Sequence, residues 1–244
     1  MILKRTITIV LAIFMSNIAI SQLKGGRVIY QASTDTRMAI KKLNKNESIP
    51  ENYKKKILYD LEKAEDIQFN LDFNENESLF YYSGIFALEN EGNRGSGHTG
   101  LIAGAGNTYY TNLDTKKIFK QNRHFNKLLI IQEPSVWNMI QETKTIGEYI
   151  CFKATTTIKV EGRNGVMYRS IVAWYTPQIP VPYGIQGFTN LPGLTLELKI
   201  NNNITFKALK IELNPKEKVE IEKPNGKKIT SEEYNDMLKG VRAR

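Results

Sequence analysis

The sequence predicts a mainly β protein: a curved antiparallel sheet, half-barrel-like, with two peripheral helices. Three observations predict it. Alternating apolar and polar residues recur along the chain, as where Ile67, Phe69, Leu71 and Phe73 interleave with Gln68, Asn70 and Asp72. Helical spacing stands out at two places only. Strand patterns follow one another through short turns without strand–helix–strand alternation, which favours antiparallel pairing. The 244 residues, 41% hydrophobic and 24% charged, allow one sizeable core and argue against wholesale disorder.

The chain opens with an address. Lys4 and Arg5 precede an apolar run, Ile7 to Met15, broken only by Thr8. Ala19 and Ser21 stand where a signal peptidase reads small residues. The run is too short for a comfortable membrane span. Residues 1–21 are therefore expected to be a signal peptide, and residues 22–244 a single exported domain. Its destination is the periplasm, the outer membrane or the medium. Without Lys4 and Arg5 the net charge falls from +9 to +7. The remaining cations are scattered, with no interleaving of aromatics and arginines, so nucleic acid is excluded as a partner. Cys151 is the only cysteine, which rules out an internal disulfide.

Val28 to Ala32 reads as the first strand. Ser48-Ile49-Pro50-Glu51 reads as a capping box opening a helix over Pro50 to Ala64, with Tyr53, Ile57, Leu58, Leu61 and Ala64 at helical spacing. Ile67 to Phe73 and Ser78 to Ser83 form a hairpin about the turn Asn74 to Glu77. Asn90 to Gly106 holds six glycines and is expected to be a long flexible loop. Strands resume at Asn107–Asn112, Lys117–Gln121 and Leu128–Gln132, with Trp137 and Met139 in a connection. Lys144–Tyr149, Ile150–Val160, Arg169–Tyr175, Gly193–Ile200 and Ile204–Leu213 continue the β pattern. Asn225-Gly226 is a turn signal. Thr230-Ser231-Glu232-Glu233 is a second capping box, with Tyr234, Met237, Leu238 and Val241 on one helical face.

The common catalytic patterns fail on context. Gly95 to Gly100 matches G-x-G-x-x-G, but no amphipathic helix follows and no acid stands about 20 residues on, so no dinucleotide cofactor is implied. Arg94 replaces the first glycine a nucleophile elbow requires. His98 and His124 are the only candidate imidazole bases, and Cys151 sits in an apolar run, which suits a buried hydrophobe. One cysteine and two separated histidines do not make a zinc site. No cofactor and no metal is expected, and the balance leans away from an enzyme.

The informative stretch is Ala173 to Leu198. Pro177, Pro180 and Pro182 hold the residues before them extended and remove three backbone donors. The strand ending at Tyr175 must leave the sheet there as a stiff crossover, and Pro192-Gly193 is a tight turn into the next strand. Trp174, Tyr175, Tyr183 and Phe188 add aromatic bulk. Two readings stand: a rigid corner that caps the core, which aromatic packing favours, and an aromatic lip of a ligand groove. On the second, the ligand-binding residues are Trp174, Tyr175, Pro177, Tyr183, Phe188, Leu191, Pro192 and Gly193.

The same stretch resembles the signature of the GLPGLI family, secreted proteins of Bacteroidetes-type bacteria. Leu191-Pro192-Gly193-Leu194 matches the naming motif, with Asn190 and Thr195 at its ends where the family has Gly and Ile. Ala173-Trp174-Tyr175-Thr176-Pro177-Gln178-Ile179-Pro180 is similar to the family's other hallmark. Lys144 to Ala154 is like its K-x-I-x-x-Y-x-C-x-K-A stretch, and Lys227-Lys228-Ile229-Thr230 with Glu233 is like its tail. The resemblance carries no established reaction. The strand-rich pattern, the aromatic proline-rich corner and the missing catalytic constellation lead to the expectation of an exported, non-enzymatic binding or carrier protein of this type, which holds a hydrophobic ligand, a peptide or an outer-membrane component on its concave face. The alternatives are a secreted hydrolase and an assembly partner of an outer-membrane complex.

Overall fold

The computed structural model describes residues 23–84, 97–162 and 165–242. The expected signal peptide lies outside the described residues, as do positions 90–96 of the glycine-rich stretch. Among the described residues twelve strands form one open sheet. In chain order they are β1 (Gly25–Thr34), β2 (Ile67–Asn74), β3 (Glu77–Tyr82), β4 (Asn107–Asn112), β5 (Lys117–Asn122) and β6 (Leu128–Gln132). Then come β7 (Asn138–Ile146), β8 (Tyr149–Gly162), β9 (Gly165–Thr176), β10 (Leu194–Ile200), β11 (Ile204–Leu213) and β12 (Lys227–Ile229). The order across the sheet is β12-β6-β5-β4-β3-β2-β1-β11-β10-β9-β8-β7. Two meanders, β2 to β6 and β7 to β11, are thus joined by β1, which pairs antiparallel with β2 on one side and β11 on the other.

Period-two alternation puts the apolar residues of this sheet on one face. Val28, Tyr30 and Ala32 of β1 are fully buried there, beside Phe69, Leu71 and Phe73 of β2 and Phe206 of β11. Phe69 stacks on Phe80 at 5.2 Å and meets Phe206 edge-on at 5.3 Å. Such pairs are worth about 0.5–1.5 kcal/mol each beyond the area they bury. Tyr30 satisfies its hydroxyl by donating to the Thr195 carbonyl at 2.7 Å. On the opposite face a smaller cluster forms around Tyr110, Phe119 and Leu129, and Ile221 of the chain following β11 packs against it.

The sheet is rolled. Seven ladder steps separate β5 from β9, about 34 Å if flat at the usual strand spacing. Yet Lys120 in β5, whose ammonium burial already pushes below its usual range, is lowered further by Arg169 in β9. Arg169 also acts on Tyr109 in β4. Gly187, in the segment between β9 and β10, lies directly against the side chains of Tyr109 in β4 and Ile118 in β5, so the two halves of the sheet face one another across a concave side.

Among the described residues four helices accompany the sheet: α1 (Arg37–Lys45), α2 (Glu51–Glu62), α3 (Gly97–Ala103) and α4 (Ser231–Arg242). The sequence pattern shows α2 and α4 and misses the other two. At Thr230 the capping box forms as expected: Glu233 N–H donates to Thr230 Oγ1 at 3.1 Å, and Thr230 N–H donates to Glu233 Oε2 at 2.7 Å. At Ser48 it does not. Helix α2 starts after Pro50 with no side-chain cap, because Ile49 precedes a proline and is held out of helical geometry. Part of the expected glycine-rich loop is instead α3, whose small residues Gly100 and Ala103 are buried and whose Thr99 hydroxyl lies 3.0 Å from that of Thr34 in β1. Tertiary packing overrides weak helix propensity there. Strand β7 also begins earlier than expected and takes in Met139, and a turn at Gly147 (φ 59°) separates it from β8. The three-residue β12, parallel to β6, is too short to leave a periodic signal.

Two glycine substitutions test this packing. A Cβ on Gly184 would lie 1.8 Å from the Phe188 carbonyl oxygen, whereas one on Gly240, exposed in α4, meets nothing within 4 Å. Gly184→Ala is expected to cost about 3 kcal/mol or more, lowering Tm by about 6–12 °C at this chain length. Gly240→Ala is expected to raise stability by up to about 1 kcal/mol. Thermal denaturation of both variants beside the parent checks this.

Candidate functional site

After Thr176 the chain leaves the sheet and crosses its concave face before rejoining as β10. Ile179, Tyr183, Ile185 and Leu191 are all buried along the way. Tyr183 sits 5.6 Å from Phe73, and its hydroxyl donates to the Asn74 carbonyl at 3.2 Å. Gly193 closes the crossover against Thr176, where a Cβ would lie 2.1 Å from the carbonyl oxygen. The residues singled out in this segment do not converge. Tyr183, Leu191 and Gly193 are inside. Tyr175 is buried near the sheet edge, 3.8 Å from Met139 Sδ. Phe188 is half-buried against Trp137, whose indole N–H donates to the Thr189 carbonyl at 2.7 Å. Trp174 points to the outer face, under the ammonium of Lys144 at 4.4 Å, and Lys144 in turn pairs with Glu197 at 2.7 Å. Pro177 and Pro192 are exposed.

A polar recess lies at one end of the sheet, where four chain segments meet. It has a volume of about 780 Å³, and its walls are the start of β1, the β2–β3 turn, the β4–β5 turn and the chain after β11. Hydrogen bonds lock these walls together. Leu113 N–H donates to the Asn76 carbonyl and Asn214 N–H to the Gly25 carbonyl, both at 2.8 Å. The Asn74 side chain accepts from the N–H groups of Asn76 and Glu77, and the Asn214 side chain accepts from Lys24 N–H. Glu77 stands in the recess with its side chain 12% exposed. It accepts from Tyr110 Oη, from Asn112 Nδ2 at 3.1 Å and from Lys223 Nζ at 3.0 Å. Burial raises the Glu77 pKa, but these donors outweigh it and hold the carboxyl below its usual range. The Tyr110 phenol, buried and bonded to that carboxylate, is pushed up to about 12. Lys216 and Lys218 line the open side.

A second recess of about 510 Å³ lies at the other side of the sheet, between Trp137 and the threonines Thr155 to Thr157 of β8, with Ser170 to Val172 of β9.

The classical catalytic candidates lie on separate elements. Cys151 is fully buried, and burial pushes its thiol up to about 11, away from the thiolate a nucleophile needs. His98 lies in α3, and His124 in a 3-10 turn after β5. Among the described residues no group of three or more His, Cys, Asp or Glu is placed to hold a metal ion.

Sequence reasoning missed the polar recess. Asn74 to Glu77 is legible as a turn, and Asp114 and Asn214 fall in the gaps after the expected strands Asn107–Asn112 and Ile204–Leu213. Nothing in the local pattern says that these turns are neighbours. Sheet order decides that.

Two outcomes test this description. The Cys151 thiol is expected to resist a maleimide in the native protein and to react at once in denaturant, as mass spectrometry would show. Glu77→Gln is expected to cost about 1–2 kcal/mol at neutral pH. Because the folded pKa of Glu77 is lowered, its contribution is full above the ordinary carboxylate range and is lost as pH falls through the lowered value. The stability gap between parent and variant therefore narrows on acidification below about pH 4. Urea unfolding across pH 2.5–7 measures it.

A protein-family model described as a protein of unknown function (Porph_ging) matches residues 137–197, from Trp137 through β7, β8, β9 and the crossover into β10. No curated protein matches the chain. Two crystal structures of PNGF-II are similar in fold. The one in space group P21 has a TM-score of 0.54 at 14% identity, covering 88% of this chain and 33% of that one. The one in space group C2 has a TM-score of 0.55 at 14% identity, covering 88% and 32%. This chain thus spans about a third of the length of PNGF-II, and the likeness at this identity is one of fold.

Proposed function

We propose that this chain is an exported, non-enzymatic binding protein of the GLPGLI type that takes a polar ligand in the recess around Glu77. One observation carries the reading: the recess is preformed. Its walls are tied to one another by backbone and asparagine hydrogen bonds, so little ordering is required when a ligand arrives. Lysines and carboxylates both line it, which suits a polar or zwitterionic partner such as a peptide rather than an apolar one. The concave face supports a hydrophobic carrier less well, because Tyr183, Ile185 and Leu191 occupy it together with the sheet's own aromatics. The buried Cys151 weighs against a cysteine hydrolase.

Native mass spectrometry of the protein purified from its host envelope, beside the same preparation denatured, tests the proposal. The expected chain begins at Gln22 and carries an extra mass that denaturation removes. In a variant with Lys216→Glu and Lys218→Glu, that mass is absent and Tm is unchanged, since both lysines are exposed. A clean apo mass in the parent, or a mass that the variant retains, overturns the reading.

A further inference from the structure

Helices α1 and α2, inserted between β1 and β2, contribute little to the core. Leu43 is the buried residue of α1 and Leu61 that of α2. Their outward sides carry Met38, Tyr53, Ile57 and Tyr59, all exposed, and α3, against which α2 rests, adds Leu101 at 74% exposure and Ile102. These side chains are interleaved with cations. Helix α1 contains Arg37, Lys41, Lys42 and Lys45 and no carboxylate. Arg37, Lys41 and Lys45 recur every four residues and so form one stripe, opposite the buried Leu43. Lys54, Lys55 and Lys56 follow in α2, and the Lys54 ammonium ties the two helices by donating to the Asn44 carbonyl at 3.2 Å.

The mixture identifies the kind of surface this layer fits. A packed protein interface concentrates its apolar residues and is depleted in lysine at its core. Here the exposed apolar groups of α1 and α2 share their helices with lysines, and α3 adds Leu101 and Ile102 with no lysine of its own. A lipid headgroup region accepts that arrangement, because tyrosine and leucine enter the interface while lysine stems extend along it and place their ammonium groups at phosphates. Net positive charge along α1 selects anionic lipid. Among the described residues no helix is long and apolar enough to cross a membrane. We propose that α1, α2 and α3 form a peripheral docking surface for an anionic bilayer, with Lys41 and Lys45 as the electrostatic contacts and Tyr53 and Leu101 as the inserted groups.

Co-sedimentation with sucrose-loaded vesicles tests this, using the chain from Gln22 onward, which holds every described element. Vesicles of phosphatidylcholine with phosphatidylglycerol are expected to bind at least about tenfold more protein than phosphatidylcholine alone, with binding falling as salt rises. Lys41→Glu with Lys45→Glu, and separately Tyr53→Ser with Leu101→Ser, are each expected to lower binding by about tenfold at unchanged Tm, since all four positions are exposed. Lys207→Glu with Lys210→Glu, exposed in β11, is expected to leave it unchanged. Should the first pair shift Tm, Lys41→Gln with Lys45→Gln replaces it. No pelleting with anionic vesicles, equal pelleting with neutral ones, or an equal loss from the β11 pair overturns the proposal.

Discussion

The larger apolar face of the sheet must be covered, and the crossover from Thr176 to Leu194 is what covers it. The prolines in this segment have no N–H to leave unpaired, so it can run over an apolar surface without orphaned donors. Where donors remain, they are used: Leu194 N–H reaches the Ile179 carbonyl at 2.9 Å, and Thr195 N–H reaches Tyr183 at 3.3 Å. Gly184 and Gly193 permit backbone approaches that any side chain would block. The crossover is therefore a stiff plug whose shape the sheet requires. Strands on both flanks of the rolled sheet close onto this buried segment, β10 through its hydrogen bonds and β4 and β5 through Tyr109 and Ile118 against Gly187.

That plug also accounts for where the polar recess lies. With the concave side filled by Tyr183, Ile185 and Leu191, open space is left at the rim, where hairpin turns stand proud of the core. Turns are polar because their backbone groups bond to side chains and water instead of to a ladder. Asn74, Asn112 and Asn214 each bond a nearby backbone N–H and so fix the loop that carries them. Glu77 is held by three donors from two separate segments, β4 and the chain after β11, which makes it a brace between walls as well as a charge in the recess.

The opposite corner of the molecule follows a different logic. Helices α1 and α2 interrupt the β1–β2 connection, yet the two strands pair in register from Gly25 with Asn74 to Ala32 with Ile67. The sheet closes without the helices' help, so their sequence is free to serve a surface. Residues such as Tyr53 and Leu101 cost little stability where they are and contribute nothing to the core, which separates them from Phe69 or Tyr183.

Much of this was legible in the residues themselves. The alternation from Ile67 to Phe73 determined a strand with one wet face, the Thr230–Glu233 pair determined a helix start, and the prolines from Pro177 to Pro182 determined a crossover. Each rests on local stereochemistry, which acts over a few residues and needs no partner. Tertiary structure decided the rest. It made a helix of Gly97–Ala103, because β1 offered those small residues a surface to pack on. It sent Trp174 outward and Tyr183 inward, which aromatic content alone does not distinguish. It assembled the recess from positions 24–25, 74–77, 112, 114, 214–219 and 223, since only the order of strands in the sheet makes such distant segments neighbours.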